Sequence, residues 1–267
     1  MPPATLVIFD YSGTLSLKAV AFGKPDSLER HLEESGLSGF GIDTADRYWN
    51  NVVEPAWPEA GTTNKGFKTV AAACIQKTGI PGAASQAVES AVSKFVDEYM
   101  RHSSIDERWR PLLSDIRNRT GVKGIIATDH YAEATDSIRT HLAALGINST
   151  PAATGKEAFH GNTAFIVANS ADIGCLKADR QFWLKLKKAR LSMPVKAVIL
   201  VDDFGFNEQD HSGYSKAHKI AARMNATRKA IGRVFGVEPQ VIHFMAGEDP
   251  DNAIIETIKT IWKKLKQ

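Results

Sequence analysis

The chain is short of cysteine, of long apolar runs and of excess charge, and each shortage removes a class of protein. Two cysteines in 267 residues, Cys74 and Cys175, make neither a disulfide framework nor a metal-ligand spacing. No apolar run approaches the roughly 20 residues of a membrane span. The N-terminus shows no basic segment followed by an apolar one, because Asp10 interrupts it, so no secretory leader is expected and the expected setting is the reducing cytoplasm. A formal charge of +3, with the basic residues spread out, leaves no footprint for nucleic acid. The tail Lys259, Lys263, Lys264 and Lys266 reads as the solvated face of a last helix. There is no internal repeat and no low-complexity segment. The expected partner is a small molecule, and oligomeric state is open.

What is present begins with Leu6-Val7-Ile8-Phe9-Asp10-Tyr11-Ser12-Gly13-Thr14. Four apolar residues read as a short buried strand suited to a parallel sheet. An Asp at the carboxyl end of such a strand stands where open α/β sheets bind ligands. Gly13 permits a tight turn whose N–H groups can face an anion. A strand followed by an ordinary polar turn would show the same pattern.

Residues 16–104 read as helical throughout, with helices expected over 27–35, 44–54 (ending before Pro55), 64–78 and 84–102. Such a block looks like an insertion that packs on itself. Alternation follows: a helix over 106–119, strands at 122–128, 164–167, 197–201 and 240–244, and helices over 133–145, 180–189 and 252–264. Strands alternating with helices predict an α/β fold with a parallel sheet covered on both faces. Segment 146–163 reads as an irregular surface connection, and segment 204–236, rich in Gly, Lys and Arg, has no assigned role.

Three further sites fall at strand ends. Thr128, followed by Asp129 and His130, could donate to a phosphate oxygen, or bond its own turn. Lys177, past the third strand, could balance a carboxylate and a phosphate, although one basic residue among 33 is unremarkable alone. Asp202 and Asp203 close five apolar residues, with Asn207 four positions beyond Asp203, a set of hard oxygen donors suited to Mg²⁺. Four strand-end sites converge on one crevice, and the set matches covalent phosphoryl transfer through an aspartyl-phosphate.

With these motifs the chain resembles the haloacid dehalogenase (HAD) superfamily of hydrolases. Phe9-Asp10-Tyr11-Ser12-Gly13-Thr14-Leu15 is similar to its first motif, Thr128 to the second, Lys177 to the third, and Asp202-Asp203 with Asn207 to the fourth. The resemblance implies a Rossmann-like core over 1–15 and 105–267, with a helical cap over 16–104 that closes on the site. It implies Asp10 as nucleophile and Mg²⁺ held by Asp10, Asp203 and the backbone carbonyl of Ser12, with Asp202 and Asn207 beside them. Ser12, Gly13, Thr128, Asp129 and Lys177 would meet the substrate.

The expected activity is a Mg²⁺-dependent phosphatase of a small phosphorylated metabolite. Alternatives are hydrolysis of a phosphonate or other C–X bond, or a low-activity phosphate-binding regulatory protein. One departure matters: phosphatases of the family usually carry a second Asp two residues after the nucleophile, and this chain has Ser12. Losing a positioned acid or base costs ~10²–10⁴ in rate, so slow turnover of phosphomonoesters is expected. Family dehalogenases carry Tyr there, phosphonate cleavers a small residue with a cap lysine (Lys65 or Lys68 by location), and P-type ion pumps Thr.

Overall fold

The computed structural model describes residues 2–77, 84–153, 165–191, 193–209 and 214–266. Six strands form one sheet: β1 (Ala4–Phe9), β2 (Val122–Thr128), β3 (Ser149–Pro151), β4 (Phe165–Asn169), β5 (Val195–Asp202) and β6 (Gln240–His243). They run parallel in the order β3-β4-β2-β1-β5-β6. Every residue of the central β1 is buried, as a parallel strand covered on both faces requires. Its side chains alternate between two cores. Val7 and Phe9 join one with Ile126 and Val201, whereas Leu6 and Ile8 join the other with Ile125 and Leu200.

Between β1 and β2 the described residues form no strand; the α-helices there are Leu17–Phe22, Pro25–Ser35, Ala45–Tyr48, Glu54–Ala60, Phe67–Lys77 and Ser85–His102, followed by Arg110–Asn118 leading into β2. The fold is therefore a Rossmann-like α/β core with an all-helical insertion. The insertion does not pack on itself alone. Its buried Leu32, Val52, Val88 and Phe95 belong to the same continuous apolar core as Phe9, Ile126 and Val201 of the sheet. Hydrophobic burial is non-directional, so one face of the sheet and the insertion's inner face merge.

Three sequence expectations change. The helix expected to stop before Pro55 continues: Thr44 caps it, a single π-helical turn spans Trp49–Val53, and Glu54–Ala60 follows. Pro55 falls in the first turn of that last segment, where a missing N–H costs little. Segment 146–163 contains the edge strand β3, short enough to lack a periodic signal and ending on a proline that an edge tolerates. Segment 204–236 contains the helix Ala217–Phe235, closed by Gly236 in the left-handed conformation. Residues 78, 154–164 and 210–213 of these expected segments lie outside the described residues.

Candidate active site

Register aligns the strand ends. Phe9 pairs with Ile126 on one side and Val201 on the other, so Asp10 emerges level with the ends of β2 and β5. The Asp10 N–H donates to the Val201 carbonyl at 2.9 Å, continuing the ladder by one residue. Asp10, Lys177, Asp202 and Asp203 are each at most 8% exposed, a concentration of buried charge that needs internal partners.

Lys177 supplies them. Its Nζ donates to Asp10 Oδ1 at 2.5 Å and to Asp202 Oδ2 at 2.8 Å. Its backbone N–H donates to Asp129 Oδ1 at 2.7 Å, and Trp183 Nε1 donates to its carbonyl at 2.8 Å, so the residue is held at both ends. Asp202 Oδ1 accepts the Phe204 N–H at 2.7 Å, and the Asp203 N–H donates to Thr14 Oγ1 at 3.1 Å. Thr128 ends β2 fully buried beside Asp129.

Burial pushes the Asp10 carboxyl up to about 8, Lys177 pulls it back, and Asp202 pushes it up again. Asp203 is held well above the carboxylate range by burial, with Asp10 and Glu208 adding to it. Burial also raises Asp129, against the pull of Lys177. Burial disfavours the Lys177 ammonium, but Asp10, Asp202 and Asp129 outweigh it and hold its pKa well above the usual value. Asp10, Asp202 and Asp203 offer oxygens within 4.8 Å of one another, against a single ammonium. Such a donor set is chemically suited to a hard divalent cation, which would offset the unmatched carboxylate charge.

Two residues expected at the site are engaged differently. Gly13 has a φ of +73°, and its N–H donates to the Ser16 carbonyl at 3.1 Å rather than facing an open anion position. Its lack of a side chain is still required, since a Cβ there would lie 2.5 Å from Asp203 Oδ2. The Asn207 amide is bonded at both ends. Nδ2 donates to the Gly13 carbonyl at 2.7 Å, and Oδ1 accepts the Ala246 N–H at 3.0 Å, tying together the loops after β1, β5 and β6.

The helical insertion lies over the same strand ends. Tyr11 hydroxyl donates to the Ser103 carbonyl, Ser170 Oγ to the Gly61 carbonyl at 2.6 Å, and Tyr99 Oη lies 3.2 Å from His130 Nε2. The Tyr131 N–H donates to His130 Nδ1 at 2.8 Å, which puts the proton of the neutral ring on Nε2, directed at Tyr99. Burial lowers the His130 pKa to about 4, so the ring is neutral. Trp57 packs edge-on to Tyr131. Arg47 pairs with Asp43, Lys65 with Glu59 and Lys68 with Asp97, all in solvent-facing ion pairs.

Sequence reasoning missed Glu208. Its Oε1 accepts a hydrogen bond from Ser12 Oγ at 2.6 Å, bringing together residues 196 positions apart. The available signal was an acid one residue past Asn207, in a site lacking the acid expected at residue 12.

No family model matches the chain, and no curated protein matches its sequence. Among solved structures it is similar to a 2-haloacid dehalogenase from Pseudomonas syringae pv. tomato. The two are 15% identical, with a TM-score of 0.52 over 97% of this chain and 99% of that one. An L-2-haloacid dehalogenase aligns at 14% identity and a TM-score of 0.42, over 77% of this chain and 81% of that one. The near-complete first alignment, the parallel sheet and the helical insertion after β1 agree: the chain has the haloacid dehalogenase fold.

Proposed function

We propose that the chain is a hydrolase in which Asp10 attacks a small-molecule substrate and carries a covalent ester that water then cleaves. The observation that carries this reading is the Lys177 ammonium bridging Asp10 and Asp202 in a buried crevice. It holds one Asp10 oxygen while the other remains to attack. Buried ammonium charge also stabilises negative charge developing on a transferred group more strongly than it would in water.

For the substrate, the three-carboxylate cluster favours a phosphoryl group with a divalent cation. Asp10, Asp202 and Asp203, with the Ser12 carbonyl, would hold Mg²⁺, whose chemistry is to neutralise phosphoryl oxygens and orient them for in-line attack. Asp10 would form the acyl phosphate, Lys177 would offset charge on the equatorial oxygens, and Thr128 would donate a hydrogen bond to one of them. The insertion over the strand ends would act as a cap that excludes water and selects the substrate.

A second reading, hydrolysis of a C–X bond, is supported by the likeness to a 2-haloacid dehalogenase and by Ser12, since a halide leaves without an acid. The phosphonate route by an imine has less support, because Lys65 and Lys68 are both engaged in surface ion pairs.

A panel of phosphomonoesters, phosphonates and 2-haloacids, each with Mg²⁺ or with EDTA, tests the readings. Mg²⁺-dependent phosphate release, abolished in Asp10→Asn, is the expected result. Halide release in EDTA would replace it with the second reading. Tight binding of a phosphate analogue without turnover would make the chain a phosphate-binding protein.

A further inference from the structure

Ser12 occupies the position from which an acid would ordinarily exchange protons with the reacting group, and a free hydroxyl is a poor acid and a poor base. Here the hydroxyl is not free. Ser12 Oγ donates to Glu208 Oε1 at 2.6 Å. Glu208 reaches it because the loop after β5 is fastened down on both sides. The Asn207 N–H donates to Asp203 Oδ2 at 2.9 Å, and the Asn207 side chain grips the Gly13 carbonyl at 2.7 Å. That last bond sets the residue before Glu208 against the residue after Ser12. A carboxylate from one strand-end loop is thereby delivered to a hydroxyl on another, two residues from the nucleophile.

We propose that Ser12 and Glu208 form a proton-relay dyad for the second half of the reaction, hydrolysis of the acyl phosphate on Asp10. The dyad rests on the ester reading given above. In the step, the oxygen of an attacking water bonds to phosphorus as the P–O bond to Asp10 breaks, and that electron pair returns to the Asp10 carboxylate. The water proton passes to Ser12 Oγ while the Ser12 proton moves to Glu208 Oε1. Phosphate leaves, and the proton on Glu208 is lost to solvent. Ser12 is the catalytic residue, and Glu208, acting through it, is a positioning residue. The division explains how a site without an acid at residue 12 can still discharge its acyl phosphate.

The discriminating experiment is rapid-quench kinetics with 4-nitrophenyl phosphate and Mg²⁺ on wild type, Glu208→Gln, Ser12→Ala and Asp10→Asn. A Gln side chain can still accept the Ser12 hydrogen bond but cannot take its proton. Glu208→Gln should keep the first-turnover burst of nitrophenol, lose roughly 10²-fold or more in steady-state turnover, and accumulate phosphorylated Asp10 detectable by mass spectrometry. Ser12→Ala should behave in the same way. Ser12→Asp placed in the Glu208→Gln chain should restore turnover by supplying a base directly. Unchanged steady-state turnover in Glu208→Gln would overturn the dyad, as would parallel loss of burst and turnover without rescue. A burst that persists in Asp10→Asn would instead overturn the ester reading, whatever Glu208 does.

Discussion

At the strand ends, four charged side chains lie almost wholly out of solvent, and two ammonium–carboxylate contacts join three of them, Lys177 to Asp10 and Asp202. Where the helical insertion meets the core, the contacts are of another kind. Phe67 stacks on Tyr131 at 4.0 Å between centroids, Trp57 packs edge-on to the same ring, and a few directional bonds set the register. Glu133 is the clearest of these, accepting the Phe67 and Lys68 N–H groups at 2.9 Å each, at the start of the insertion's helix Phe67–Lys77. The approach is close enough that a Cβ at Gly66, whose φ is +83°, would lie 2.7 Å from Glu133 Oε1. Burying apolar rings stabilises the fold, whereas burying like charges opposes it. The first region concentrates unfavourable buried charge, and the second supplies part of the stability it lacks.

That contrast can be broken at either region. The largest expected effect is from Asp10→Asn, which should lower turnover by on the order of 10⁴ or more by removing the proposed nucleophile. The same variant should be the more stable protein at alkaline pH. Asp10's pKa is about 8 in the fold and 3.8 in a solvated carboxyl, so its contribution to stability is full below the lower value. It is lost as pH rises through about 8. Thermal midpoints of the two proteins that stay equal at pH 9 would contradict this.

Removing the ammonium should do the opposite. Lys177→Met leaves Asp10 and Asp202 facing each other without a cation and should cost about 3–5 kcal/mol in urea unfolding. A protein of wild-type stability would show that the carboxylates relax without help.

At the insertion interface, acid is the probe. His130 has a pKa of about 4 in the fold against 6.5 in a solvated imidazole. The neutral ring's contribution is full above 6.5 and is lost as pH falls towards about 4, roughly 3 kcal/mol in total. His130→Gln should flatten the urea-midpoint profile between pH 7 and pH 4, and an unchanged slope would assign the acid loss elsewhere.

The smallest effect is expected from Glu133→Ala, about 1–2 kcal/mol for two helix-start N–H groups that lose their acceptor. Faster amide hydrogen exchange at Phe67 and Lys68, with the sheet amides unchanged, would show that the loss is confined to the interface.

Much of the sheet was legible because parallel strands announce themselves as apolar runs. β1, β2 and β5 each run into a polar residue at or just past their end that such a run makes conspicuous, so Asp10, Thr128 and the Asp202–Asp203 pair could be picked out by position. β3 could not, since three residues at a sheet edge carry no periodicity. The helix Ala217–Phe235 was hidden because Lys219, Arg223, Arg228, Lys229 and Arg233 are interspersed among its buried Ile220, Thr227, Ala230, Ile231, Val234 and Phe235. Pro55 looked like a stop because one dimension does not show that a π-helical turn can hand over to a new first turn.

By itself the sequence determined which residues stand at the strand ends, because burial of alternating apolar side chains sets strand position locally. It determined as well that Ser12 stands two residues after Asp10, where phosphatases of the superfamily it resembles usually carry an acid. Only the tertiary structure decided what stands next to that serine. Hydrogen bonds are directional and short, so the meeting of Ser12 with Glu208 depends on how two loops 196 residues apart are pinned against each other, and no local pattern encodes that.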